Sequence, residues 1–405
     1  MGTADWLMTL EAIRSRCSMV YDAGVNDELR HFKLNFDRLD ELTDYVFKVT
    51  KDNYPNLQIP YHARWRHFVL KGDNLWEKIS CTLTGDSEER ARVAFDLIIT
   101  SVLLDAGAGE HWQYQDPESG VILNRSEGLA VASINAFKKG LFSSDPKQPF
   151  RADAAALQSI TIDSLGAAFQ VTSSNQLASL DGRSKLMNDL GAVIREQPKL
   201  FGQTNHRIGC LFDYLKTQVI DNKLDVQKIF SAITHGLGEI WPGRLSLDGI
   251  NLGDTWHHSA VCVNGPSNRF VPLHKLSQWI TFSLIEPLEE AGIEVVGSEH
   301  FTALAEYRNG GLLLDSGVLS PKYNGITNKI YLPGDEVIVE WRALTVILID
   351  KVAERLRSIL NLDAKTLPLA KVLEGGTWSA GRKIALSKRS SGGTPIQILS
   401  DGSVF

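Results

Sequence analysis

Cysteine is scarce in this chain, and so is net charge. The cysteines Cys17, Cys81, Cys210 and Cys262 lie far apart and form no Cys-x-x-Cys pair. That excludes a disulfide framework or a cysteine-built zinc module, and their apolar neighbours predict reduced, buried thiols. Lys and Arg number 42 against 48 Asp and Glu, for a net charge of -6. The basic residues are scattered rather than striped, which argues against a nucleic-acid partner. No apolar run reaches the ~18 residues of a spanning helix. The start, Met1-Gly2-Thr3-Ala4-Asp5-Trp6, lacks the basic and apolar regions of a secretory leader. A cytoplasmic protein without a membrane partner is expected, with the nucleus as the alternative. Patterns of the GxGxxG, GxSxG, HExxH and GxxxxGK[ST] types are missing, which argues against dinucleotide redox, acyl-enzyme, zinc-protease and nucleoside-triphosphate chemistry. No repeat of fixed period and no low-complexity tract is visible.

What is present is an ordinary globular composition, 43% hydrophobic and 22% charged over 405 residues, enough for about two or three lobes with a substantial core. Helical periodicity covers 4–20, 37–51, 153–166, 176–194, 226–236, 272–291, 302–314 and the long stretch from Asp335 onward. Asp86-Ser87-Glu88-Glu89 reads as a capping box opening a helix that ends at Gly107, and Ser126 as the cap of a helix through Phe137. His31-Phe32-Lys33-Leu34-Asn35-Phe36 alternates like a short strand, and 394–405 alternates about an Asp-Gly signal like a terminal β-hairpin. The expected fold is mainly α, a multi-helix two-lobed protein. The Ser/Asp/Pro/Lys-rich stretch 143–149 would separate an N-terminal helical lobe, 1–145, from a C-terminal helical lobe, 150–405.

Several clusters could carry chemistry. Val339-Glu340-Trp341-Arg342-Ala343 puts a carboxylate and a guanidinium at the entrance of an otherwise apolar helix. The spacing predicts both in the first turns, beside unpaired backbone N-H groups that attract anions; such a pair either ties the helix start or does chemistry. Leu304-Ala305-Glu306-Tyr307-Arg308-Asn309-Gly310-Gly311, with Asp315 beyond, adds a second carboxylate and arginine running toward a glycine turn. Paired carboxylates in different environments can divide acid and base work. Between two apolar helices, one loop holds Trp112, Tyr114, Arg125 and Glu127, either lining a pocket or packing beneath the loop and capping a helix. Ile59-Pro60-Tyr61-His62-Ala63-Arg64-Trp65-Arg66-His67-Phe68 suits phosphate, sugar or base contacts. Leu373-Glu374-Gly375-Gly376-Thr377-Trp378-Ser379-Ala380-Gly381-Arg382-Lys383 sets glycines before a basic helix, an anion site in prospect. The adjacent His257 and His258 diverge on any regular element and lack a metal-ligand spacing, so neither metal nor cofactor is expected.

Taken together, the 59–68 phrase, Leu104-Asp105-Ala106-Gly107-Ala108-Gly109 with Trp112 and Tyr114, Arg125-Ser126-Glu127-Gly128-Leu129-Ala130, Val339-Glu340-Trp341-Arg342-Ala343-Leu344-Thr345 and the closing Ser400-Asp401-Gly402 resemble the uracil catabolism protein 4 family of fungi and bacteria. The resemblance covers nearly the whole chain, with Ala63 where the family has Ser. It implies a pathway that opens the uracil ring of a ribosylated intermediate and leaves a ribosylurea-type product. More distantly, Ala305-Glu306-Tyr307-Arg308 followed by Val339-Glu340-Trp341-Arg342 is similar to the Ala-Asp-Tyr-Arg and Val-Glu-Ile-Arg phrases of queuosine-salvage nucleosidases, helical proteins related to helix-hairpin-helix DNA glycosylases. That likeness implies a glycosylase-like region over about 270–365, with a catalytic acid where Glu340 stands. Glu306 is one methylene longer than the Asp of the pattern.

The expected activity is therefore hydrolysis of the N-glycosidic bond of a ribosylurea-type compound, with or without a 5'-phosphate. Glu340 would stabilise the oxocarbenium-like state, and Glu306 or Glu127 would protonate the leaving urea. Arg342, Arg308, Arg64 and Arg125 would hold a phosphate, and Tyr61, His62, Trp112, Tyr114, Asp315, Trp378 and Arg382 would complete a substrate-binding set. The alternatives are hydrolysis of a C-N bond within the opened pyrimidine, or a ligand-binding regulator without turnover. Oligomeric state is not legible.

Overall fold

The computed structural model describes residues 2–109, 111–242 and 245–399. It is mainly helical, with small two-stranded sheets only. By contacts the chain divides into two compact units. Unit 1 holds 2–62, 245–278 and 297–399; unit 2 holds 63–109, 111–242 and 279–296. The stretch 143–149 falls inside unit 2.

Unit 1 is organised by the helix Glu336–Leu360, a span of 25 residues without Gly or Pro. Buried residues occur all round it through Leu356, the signature of a core helix rather than a surface one. It ends where Asn361 turns left-handed at φ 53°. The helices Leu10–Val25, Leu39–Asn53 and Tyr307–Asp315 pack against it. Phe32–Leu34 pairs antiparallel with Leu319–Pro321, as the alternation of 31–36 predicts for a strand. Thr255–His257 pairs antiparallel with Phe270–Pro272.

In unit 2 the helix Ser87–Leu103 packs on Arg125–Lys138, and Ala154–Ser159 on Leu180–Glu196. Asp86 caps Ser87–Leu103 by accepting from the Glu89 N-H, so the N-cap half of the expected capping box is present, and the helix stops short of Gly107. Ser126 is not a cap: the helix begins at Arg125 after Asn124.

Other expectations shift. The first helix is two, Thr3–Leu7 and Leu10–Val25, because Thr9 caps the second by accepting from Ala12 N-H. Residues 302–306 belong to no helix, and the helix begins only at Tyr307. The loop after residue 109 contains an antiparallel hairpin, Gln113–Gln115 with Ile122–Asn124, whose turn is closed by the Asp116 carboxylate accepting from Ser119 N-H at 2.8 Å. Gln397–Ile398 pairs in parallel with Ile330–Tyr331; the Asp401-Gly402 turn of the expected hairpin lies outside the described residues. Cys17 is buried and its thiol is pushed up by that burial, but Cys81 and Cys262 are exposed, contrary to expectation. No helix among the described residues is long and apolar enough to cross a membrane.

Candidate active site

In unit 1 the segment 303–309 lies against the central helix: the Arg342 Nε donates to the Ala305 carbonyl at 3.0 Å and the Trp341 Nε1 to the Gly310 carbonyl at 3.0 Å. Glu306 is the N-cap of Tyr307–Asp315, its two oxygens accepting from Asn309 N-H at 2.6 Å and Arg308 N-H at 2.5 Å. Burial nevertheless pushes its carboxyl above the ordinary range; those two donors and the charges of Lys275 and Arg308 pull the other way. Two polar groups beside it are buried without partners, the Arg308 Nε and the Asn309 Oδ1. Arg308 also donates to the Gly392 carbonyl at 3.1 Å and lies over the Tyr307 ring. The glycines 310 and 311 are inside this helix, not in a turn.

Glu340 is not beside free N-H groups of its own helix, because the helix starts at Glu336 and Glu340 is a turn further in. It is 1% exposed and meets donors from elsewhere: the backbone N-H groups of His31 at 3.1 Å and Phe32 at 2.8 Å, and the His258 Nε2 at 3.2 Å. The His258 Nδ1 accepts from the Ala260 N-H at 3.1 Å, which places the ring hydrogen on Nε2, facing Glu340. His257 points away, its ring against Phe270. Arg342 forms a bidentate pair with Asp254, both contacts 2.8 Å. Burial pushes Asp254 up, yet the Arg342 charge with the Lys275 N-H and the Trp256 indole holds its carboxyl down at about 2. Among the described residues Glu306 and Glu340 share no hydrogen-bond partner.

The third group in unit 1 unites motifs that are distant in sequence. Residues Leu373–Thr377 form a π-helical turn running straight into Trp378–Lys388, so the glycines open no free helix N-terminus and the expected anion site is lost there. From this turn the Glu374 carboxylate accepts from the His62 Nδ1 at 2.8 Å and the Tyr54 hydroxyl at 3.2 Å. The Trp378 ring lies 5.9 Å from that of His62, and the Arg382 guanidinium 5.0 Å over Trp378. Tyr61 is covered by the Lys371 ammonium at 5.3 Å. One helix turn beyond Trp378, Gly381 packs on Arg308: a Cβ there would stand 2.7 Å from the Arg308 carbonyl. The helix Trp378–Lys388 thus touches both the Glu306-Arg308 segment and His62 along one face. Asp315 pairs with both terminal nitrogens of Arg389, at 2.7 and 2.5 Å.

In unit 2 the expected residues have structural partners. Arg64 is fully buried; it donates to Asp105 at 2.5 Å and to Ser101 at 2.8 Å, and Ser126 also donates to Asp105. One ion pair therefore ties together the phrases at 63–68, 104–109 and 125–130. Arg183, which nothing in the sequence singles out, holds the same loop through the carbonyls of Leu104, Ala106 and Gly107, and burial lowers its pKa to about 10. Trp112 and Tyr114 are core residues: the Trp112 indole donates to the Phe169 carbonyl at 3.0 Å and the Tyr114 hydroxyl accepts from Asn135 at 3.3 Å. Arg125 and Glu127 open the helix Arg125–Lys138, half-buried, with Arg125 in a left-handed backbone at φ 52°. A cleft of about 740 Å³ in this unit, walled by Trp65, Trp76, Arg66, Arg90, Glu286 and Glu290 among others, contains none of the expected site residues.

Sequence reasoning missed Glu374, Tyr54, Asp254 and His258 as partners of site residues. Glu374 and His258 stand in stretches singled out from the sequence, but no spacing rule links position 62 to 374 or 258 to 340.

These features define a mainly helical protein whose first unit gathers carboxyl, guanidinium and imidazole groups along the helix Trp378–Lys388. The chain belongs to the uracil catabolism protein 4 family, described as "Protein of unknown function (DUF1688)", whose profile matches residues 6–405. It is 38% identical over 98% of its length to "Protein urg3" of Schizosaccharomyces pombe, covering 98% of that protein. It is 36% identical over 99% of its length to "Uracil catabolism protein 4" of Lachancea kluyveri, again covering 98%.

Proposed function

We propose that this protein is a uracil-catabolism enzyme that hydrolyses the N-glycosidic bond of a ribosylurea-type compound, releasing urea and ribose or ribose phosphate. The names of its relatives support the pathway. The observation that carries the reaction is Glu306, a buried carboxyl whose affinity for a proton is raised by its surroundings. Urea is a poor leaving group, and a carboxyl whose affinity for a proton is raised by burial is suited to be the acid such a departure needs. Beside it, the Arg308 Nε-H and the Asn309 Oδ1 offer a donor and an acceptor, the complement of a ureido carbonyl and N-H. The position of Glu306 before Arg308, in the order seen in the glycosylase-related nucleosidases, supports the same reading. Of the arginines expected at a phosphate, Arg64 and Arg342 are committed to Asp105 and Asp254, and Arg308, two residues after Glu306, is the one proposed to carry that role.

Purified protein incubated with ribosylurea and with its 5'-phosphate, followed by mass spectrometry of urea and sugar, tests the proposal. Stoichiometric urea and free sugar are expected. A shortened N-ribosyl product from an opened pyrimidine would establish the amidohydrolase alternative, and binding without turnover a regulator.

A further inference from the structure

The proposed hydrolysis needs a group to take the proton of the attacking water, and Glu306 as the acid cannot be that group. We propose that His62 is this base and that Glu374, itself held by Tyr54, is the residue that positions it. The inference rests on the hydrolytic reading above. His62 is buried and tied to one short segment twice: its backbone N-H donates to the Ala370 carbonyl at 2.8 Å and its Nδ1 meets the Glu374 carboxylate at 2.8 Å. A carboxylate only accepts, so Nδ1 carries the hydrogen and the lone pair of the neutral ring is on Nε2. The second Glu374 oxygen accepts from the Tyr54 hydroxyl at 3.2 Å, which fixes the carboxylate as the carboxylate fixes the ring.

The π-helical turn makes this placement rigid. Its Gly376 lies so close to the helix Leu39–Asn53 that a Cβ would stand 2.3 Å from the Thr50 Oγ1, and the Asn53 side chain donates to the Gly375 carbonyl at 3.3 Å. Single π turns inside α-helices are common at functional sites. His62 and Glu306 are connected through one face of Trp378–Lys388, where Trp378 meets His62 and Gly381 meets Arg308. In the step itself the water oxygen bonds to the anomeric carbon as the C-N bond breaks. The water proton passes to the His62 Nε2, the Glu306 proton passes to the departing nitrogen, and solvent exchange restores both groups.

The test combines kinetics with ring nitrogen NMR on the full-length protein. His62→Gln should lower kcat by ~10²–10⁴-fold, Glu374→Gln by ~10–10²-fold with KM little changed, and the double variant no further than His62→Gln alone. Turnover is normalised to the folded fraction, so that a folding defect is not read as a catalytic one. Losses that multiply, or a His62→Gln protein that keeps its kcat, would overturn the proposal. Independently of any substrate, the 15N shifts of His62 should report the Nδ1-H tautomer; an Nε2-H tautomer overturns the positioning role even if ribosylurea is hydrolysed. If ribosylurea is not hydrolysed while the Nδ1-H tautomer is found, the proposed reaction fails and the positioning stands.

Discussion

At the scale of single residues, Glu306 and Glu340 make opposite forecasts. Glu306→Gln replaces one of the two acceptors that cap Tyr307–Asp315 by an amide N-H facing a buried backbone N-H, a loss of about 1–3 kcal/mol. It also removes the transferable proton, so turnover of the folded fraction should fall by ~10²–10⁴-fold. Glu340→Gln can keep the two backbone donors, which share one oxygen. Its new amide N-H would face the His258 Nε2-H, and reversing the His258 tautomer would only set a donor against the Ala260 N-H. A buried donor is left unmet either way, at a cost of about 1–3 kcal/mol, while the surviving folded protein should turn over within about tenfold of the parent. Thermal midpoint and turnover measured on the same preparations separate the two; a Glu340→Gln protein that is stable but inactive would restore the catalytic role expected of Glu340 from sequence.

At the scale of elements, the close approach of Trp378–Lys388 to Tyr307–Asp315 governs the site. Gly381→Ala would set a methyl 2.7 Å from a backbone carbonyl that has no way to rotate aside. The two helices must part, and urea unfolding should show a loss of about 1–3 kcal/mol, with KM raised because Arg308 moves. An unaltered midpoint would mean that the helices slide freely. The long helix was legible because its apolar run is uninterrupted by Gly or Pro and its burial follows from that alone. The irregular segment 302–306 was not, since its apolar spacing continues that of the helix after it. What decides against helix there is tertiary: Thr302 N-H donates to the Gln278 side chain at 2.8 Å and Ala303 N-H to Asp350 at 3.3 Å, partners no local pattern reveals.

At the scale of the whole molecule, buried carboxylates give stability a pH dependence of two signs. Asp254, in unit 1, falls from 3.8 to about 2 on folding. Its contribution, on the order of 2 kcal/mol, is fully present above pH ~4 and is lost as the pH falls toward 2. Asp96, in unit 2, rises from 3.8 to about 6 because burial outweighs the Arg207 charge and the Gly209 N-H. The folded state then binds the proton more tightly, so this contribution is greatest below pH ~4 and declines as the pH rises through about 6. Unfolding free energies between pH 3 and 8 check both signs. The deficit of Asp254→Asn should be constant above pH ~4.5 and narrow toward pH 3, whereas that of Asp96→Asn should shrink as the pH rises from 4 to 7. Parallel profiles for the two variants would contradict the assignment.

The sequence by itself determined the helical character, the core helix from Asp335, the strand at 31–36 and the family, because periodicity, capping residues and long motifs are local properties that survive without contacts. It also named Glu306, Arg308, His62, Trp378 and Arg382 individually. Only the tertiary structure decided that these share one unit along the face of Trp378–Lys388, that Arg342 and Arg64 belong to carboxylates, and that Glu374 holds His62. The reason is physical: whether a charged side chain meets substrate or partner depends on what the fold brings within about 3 Å of it, and pairs such as 62 with 374 or 254 with 342 are created by packing, not by spacing along the chain.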